Sequence, residues 1–266
     1  MEHRQRQKLI GLLACLAVAS GFGGGLLRAQ DCNLECPAGG WLANCTQPYC
    51  TSGVYNGTGC CCDTHTPILI GVDGQGFFLT SLAGVVNFNI TDGSPPNRVS
   101  WTQRSSTNAW LALDRDGDGR IDDASELFGD LTPQPQPPPG VPRNGFLALA
   151  VFDQPDHGGN GDGVIDARDE VFSRLRLWQD LNHDGVSTPD ELATLPQLGI
   201  SGIALEYTLS RHTDQYGNVF RYVGTIYRAD GSASHDIVDV VIQVGARPGS
   251  EGMGSGLSPS SPGSTP

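Results

Sequence analysis

The chain contains no HExxH motif, no GxSxG elbow and no Walker loop, so the signatures of zinc proteases, serine hydrolases and P-loop nucleotidases are missing. It also lacks an apolar run long enough to cross a bilayer. The best run, residues 9 to about 22, is short and follows Arg4, Arg6 and Lys8. Positive charge is scarce beyond that point. With a formal net charge of −13 the chain lacks the basic footprint that nucleic acid requires. No cysteine follows Cys62.

The basic start, the short apolar run and the small residues after it have the order of a secretory signal peptide, with processing expected near Ala29. Loss of residues 1–29 removes Arg4, Arg6, Lys8 and Arg28 against Glu2 and takes the charge to about −16. Cys32, Cys36, Cys45, Cys50, Cys60, Cys61 and Cys62 then fall in one block, residues 30–65, among Gly, Asn, Thr and Pro. Such a block has too little apolar surface to fold without staples, and export favours disulfides over a zinc site. The odd count leaves one thiol over.

Residues 66–245 read as the folded domain. Strands are expected at 68–73, 77–79, 85–90, 99–101 and 110–113, and again at 203–209, 219–227 and 237–244. Turns fall at 215–218 and 229–231, the second an Asp-Gly hairpin signal. Helix-compatible spacing covers 145–152 and 167–175, the latter competing with strand alternation over 174–178. Thr188, Pro189, Asp190 and Glu191 start a short helix reaching about Leu195. The Pro-rich stretch 133–142 is a surface insertion. Residues 246–266, rich in Gly, Ser and Pro, form a disordered tail.

What the chain has in abundance is acid. Residues 114–191 hold seventeen Asp and Glu against six Arg and no Lys. Like charge at that density repels itself unless it is solvated or neutralised by bound cations. A calcium ion takes six to eight oxygens, and a compact loop supplies them from alternate Asp or Asn positions with a Gly at the sixth. Asp114, Asp116 and Asp118 fit that spacing, with Gly119 sixth, the Arg120 main-chain carbonyl seventh, Asp122 ninth and Glu126 one residue past the twelfth. Asp180, Asn182, Asp184 and Gly185 repeat it, with Val186 seventh and Glu191 twelfth. A less regular loop holds Asn160, Asp162, Val164, Asp166 and Asp169, but its first position is Gly158; an inserted stretch would let Asp153 or Asp156 fill that corner. Asn87, Asn89, Thr91 and Asp92 form a weaker fourth candidate.

Asp, Asn and Gly also build hydrated turns without any metal. Three such loops in one exported chain favour cation binding. His157 and His183 are expected to face solvent, and Trp101, Trp110 and Trp178 to sit in the core.

The strings LALDRDGDGRIDDASELFGD, NGFLALAVFD, NGDGVIDARDEVFSRLRLWQDLNHDGVSTPDEL and LPQLGI resemble the EF-hand-like calcium-binding segment of secreted bacterial proteins related to haemolysin-type toxins. With the Cys-rich start and the ending TDQYGNVFRYVGTIYRADG, the chain is similar to a family of exported EF-hand-domain proteins. The resemblance spans residues 65 to 244 and implies calcium binding without a catalytic assignment. The fold class expected is α+β: antiparallel strands with short helices and EF-hand-like calcium loops, plus the Cys-rich N-terminal block. The function expected is Ca2+ binding by a secreted or cell-surface structural or interaction module. It is not expected to be an enzyme, and its partners are calcium ions and another extracellular protein or cell-surface component, with no nucleic acid and no transmembrane segment. A secreted hydrolase with a carboxylate active site is the alternative.

Overall fold

A computed structural model describes residues 54–55, 62–63, 65–90, 96–138 and 141–245, all within the compact unit Cys36–Pro266. The expected signal peptide, most of the Cys-rich block, Thr91 and Asp92, and the expected tail lie outside the described residues. Strands β1 (Val54–Tyr55) and β2 (Cys62–Asp63) pair as a small ribbon, and β4 (Val86–Phe88) pairs with β5 (Asn97–Val99).

The other nine strands form one antiparallel sheet. They are β3 (Ile68–Gly71), β6 (Asn108–Ala112), β7 (Val164–Asp166), β8 (Arg176–Trp178), β9 (Leu192–Ala193), β10 (Ile200–Ala204), β11 (Thr208–Thr213), β12 (Val219–Arg228) and β13 (Ala233–Val241). Their order is β7-β10-β12-β13-β3-β6-β8-β9, and β11 pairs with the first half of β12 beside β10. This architecture is mostly β, and its helices are few and short.

The centre of the sheet explains its composition. Every residue of β3 and β6 is buried, because both faces of the sheet are covered. Such strands read as continuous apolar runs rather than alternating ones. On one face Ile68, Ile70, Leu111, Leu177, Ile203 and Ile237 pack beneath helix α1 (Gly145–Leu149), whose Phe146 is fully buried. On the other face lies an aromatic cluster. Trp110 stands opposite Trp178 across β6 and β8, and Trp101 joins them with ring centroids 4.6 Å and 5.3 Å away, beside Phe88. All three tryptophans have no exposed surface, as expected of core residues.

Several expected elements change. The strand expected at 203–209 is two strands, Ile200–Ala204 and Thr208–Thr213, separated where Leu205 and Tyr207 turn onto the core. Residues 77–79 contribute one bridge, Leu79 to Thr102, and no strand. The helix at 188–195 ends after one 3-10 turn, Pro189–Glu191: its capping box forms, but Leu192 then pairs with Trp178. Residues 170–173 are likewise a 3-10 turn, and 176–178 are strand. The Asp-Gly turn at 229–231 closes the β12–β13 hairpin, with Gly231 donating to Arg228 O.

Candidate metal centres

Three loops leave buried elements through an acidic residue and then repeat one hydrogen-bonding scheme. Asp114 follows the buried Leu113 beyond β6, Asp180 lies two residues beyond β8, and Asp153 ends the 3-10 turn that continues α1. In each loop this first carboxylate accepts two main-chain N–H groups from the turn ahead. Gly117 and Gly119 donate to Asp114 at 2.7 and 3.0 Å. Gly161 and Gly163 donate to Asp153 at 3.1 and 3.0 Å. Asp184 and Gly185 donate to Asp180 at 3.1 and 2.9 Å.

The next two ligand-type side chains form successive Asx turns, the local bonding that Asp and Asn favour. Asp116, Asn160 and Asn182 each accept the N–H two residues on, at 3.1, 3.0 and 2.9 Å. Asp118, Asp162 and Asp184 do the same at 2.8, 3.0 and 2.8 Å. Tight winding puts two residues of each turn into the left-handed region: Gly117 and Gly119, Gly161 and Gly163, and Gly185 with, unusually, His183 at φ 59°.

A final acidic residue closes each loop from inside. Glu126 accepts from Arg115 and Asp122 at 3.0 and 2.9 Å, and Asp169 from Asn160 and Asp166 at 3.2 and 2.8 Å. Glu191 accepts from the N–H and hydroxyl of Thr188 at 3.2 and 3.1 Å. Glu126, Asp153, Asp169, Asp180 and Glu191 are all buried, whereas the Asx-turn acids are exposed. Burial, together with the charges of Asp122 and Asp116, pushes the Glu126 carboxyl up, although the two N–H bonds oppose that shift. Asp122 is pushed up as well, first by burial and then by Asp118, Asp123 and Asp116. A bound cation removes that repulsion.

Oxygens of Asp114, Asp116 and Asp118 lie within 4.8 Å of one another, close enough to share a metal ion. The oxygen-only donor set suits a hard cation. In the second loop a cationic side chain is already among the acids. Arg168 Nη2 lies 2.6 Å from both Asp162 Oδ2 and Asp166 Oδ2, and its hydrogen bond to Asp166 holds that carboxyl below the usual range.

Of the two candidates for the corner of the second loop, Asp153 is the one that accepts the main-chain N–H groups of the turn. Asp156 lies exposed on the 3-10 turn Pro155–His157, an excursion that closes when Gly159 N donates to Gln154 O. The sequence carries a signal for it: the apolar run into Asp153 matches the run into Asp114. His183 is also a correction. Its ring does not face solvent but bridges Thr102 O at 2.7 Å and Gly84 O at 3.0 Å. His157 is exposed as expected.

The seventh-position residues Arg120, Val164 and Val186 fall at equivalent points of the three loops. The first and third loops touch there: Ile121 N donates to Ser187 Oγ at 2.7 Å. Among the described residues no helix is long and apolar enough to cross a membrane.

The sequence model of a family described as SPM domain matches residues 68–243, a span that encloses all three loops. The chain is also similar to "Iron-regulated protein FrpA" of Neisseria meningitidis serogroup C, with 32% identity over 170 residues. That alignment covers 64% of this chain and 15% of the relative, so the chain spans a small part of the relative's length.

Proposed function

The chain belongs to the SPM domain family, and we propose that it binds calcium through EF-hand-like loops as an exported structural or interaction module. One observation carries the reading: in three separate loops the first carboxylate accepts two main-chain N–H groups of the turn ahead and a buried carboxylate closes the loop from inside, the first being buried as well in the second and third loops. A wet turn has no need of a buried acid at its end, because burying a charge is costly. Oxygen donors of this kind, with main-chain carbonyls at Arg120, Val164 and Val186, suit Ca2+ better than softer metals.

Calcium in this reading supplies folding energy. A millimolar concentration acting on a site of about 10⁻⁴ M stabilises the native state by roughly 1.4 kcal/mol. The proposed placement is extracellular, where calcium reaches that concentration, in keeping with the expected signal peptide. The reading assigns no catalysis, since the buried loop acids are engaged by their own loops. Calorimetric titration of the metal-stripped chain with Ca2+ tests it, with Asp118→Ala and Asp184→Ala as controls. Heat that is absent in the native sequence, or unchanged in both variants, overturns it.

A further inference from the structure

We propose that ion occupancy of the first loop is coupled to that of the third through Ser187, which acts as a positioning residue between them. The proposal rests on the calcium reading of both loops.

Arg120, Ile121 and Asp122 of the first loop and Gly185, Val186 and Ser187 of the third line one cleft of about 300 Å³. At its floor the contact is dry: Ile121 is 1% exposed and Ser187 3%. The bonded N–H belongs to the peptide unit whose carbonyl is that of Arg120, the seventh-position oxygen of the first loop. A peptide unit is planar, and in the trans form its C=O and N–H point opposite ways. Fixing the N–H on Ser187 Oγ therefore fixes the direction of the Arg120 carbonyl. Conversely, a cation on that carbonyl polarises the unit and strengthens the N–H as a donor. Ser187 in turn directly follows Val186, the seventh-position residue of the third loop. The Ser187 Cα therefore belongs to the planar peptide unit that carries the Val186 oxygen. One buried hydrogen bond thus joins the Arg120–Ile121 peptide to the side chain of the residue that follows Val186, so the arrangement of one loop biases the other.

The main-chain N–H groups of Gly119 and Gly185 donate to Asp114 Oδ2 and Asp180 Oδ2 respectively, so their NMR signals report the two loops separately. The full chain is titrated with Ca2+ as the native sequence, Asp118→Ala, Ser187→Ala, the double variant and Ser187→Thr. Asp118 is exposed, so its loss disables the first loop without opening the core. The expected result is that Asp118→Ala weakens the Gly185 transition by about fivefold or more. The same substitution leaves it unchanged in the Ser187→Ala background, and Ser187→Thr, which keeps the hydroxyl, preserves coupling. Ion binding with an identical Gly185 midpoint in the native chain and Asp118→Ala overturns the coupling alone. Equal weakening by Asp118→Ala with and without Ser187 reduces Ser187 to a structural residue and overturns it too. A Gly185 signal that ignores Ca2+ in every chain overturns the coupling, and if the Gly119 signal ignores it too the calcium reading of both loops falls with it.

Discussion

Gly159 passes so close to Asp153 that a Cβ placed on it would overlap the Asp153 carbonyl group. This approach closes the excursion 154–159 and lets Asp153 stand where Asp114 and Asp180 stand in the shorter loops. Gly159→Ala must push the two segments apart. Overpacking of this kind costs about 1–3 kcal/mol. Melting of the variant is expected to fall, with the second loop losing cation affinity while the first keeps it. A variant that melts and titrates like the native chain contradicts the placement of Asp153.

Removal of metal is expected to lower the melting temperature, and excess Ca2+ to restore it. Asp114→Asn affects the first loop more than Asp118→Ala, because Asp114 holds two main-chain donors and Asp118 one. Calorimetric scans with chelator and with millimolar Ca2+ read both effects. The ranking fails if Asp118→Ala is the more damaging.

Arg168 competes with any ion for Asp162 and Asp166. Arg168→Gln is expected to raise the Ca2+ affinity of the second loop a few-fold, since exposed ion pairs are individually weak. The Gly163 N–H, which donates to Asp153, is the local probe. A lowered affinity would mean that Arg168 organises the acids instead of occupying their field.

Asp239 is wholly buried on β13, and burial pushes its carboxyl up to about 8 despite the N–H of Gly145 at 2.7 Å and the nearby Arg221, while Asp130 adds to the rise. Unfolded, the group titrates near 3.8. Between those values the native chain keeps a proton that the unfolded chain has released, so stability falls as pH rises and levels off above about 8. Asp239→Asn keeps an acceptor for Gly145 and abolishes that slope. Urea unfolding of both chains at pH 5 and pH 8 checks the sign: the variant should gain relative to the native chain at the higher pH. An equal difference at both pH values rejects a protonated Asp239.

The first and third loops were legible because their ligand-type residues recur at alternate positions with no insertion, and spacing alone locates Asp114, Asp116, Asp118, Asp180, Asn182 and Asp184. The second was only half legible, since no linear pattern reveals that the segment ending in Gly159 folds back upon Asp153. Thr188 and Glu191 announce a helix start correctly. What the sequence hid is that Leu192 pairs with Trp178 in place of a second turn. The His183 ring likewise depends on carbonyls 81 and 99 residues distant, beyond any local rule. The central strands were found for a simpler reason: residues 68–70 and 109–112 are apolar without interruption because the sheet is covered on both sides.

Trp178 lies two residues before Asp180, and Trp110 four before Asp114, within one packed aromatic cluster. Indole rings held this close and skewed couple their electronic transitions, so the molecule carries a built-in optical gauge of both loops. Tightening of either loop should alter near-ultraviolet circular dichroism before any gross unfolding, with no dye or label attached.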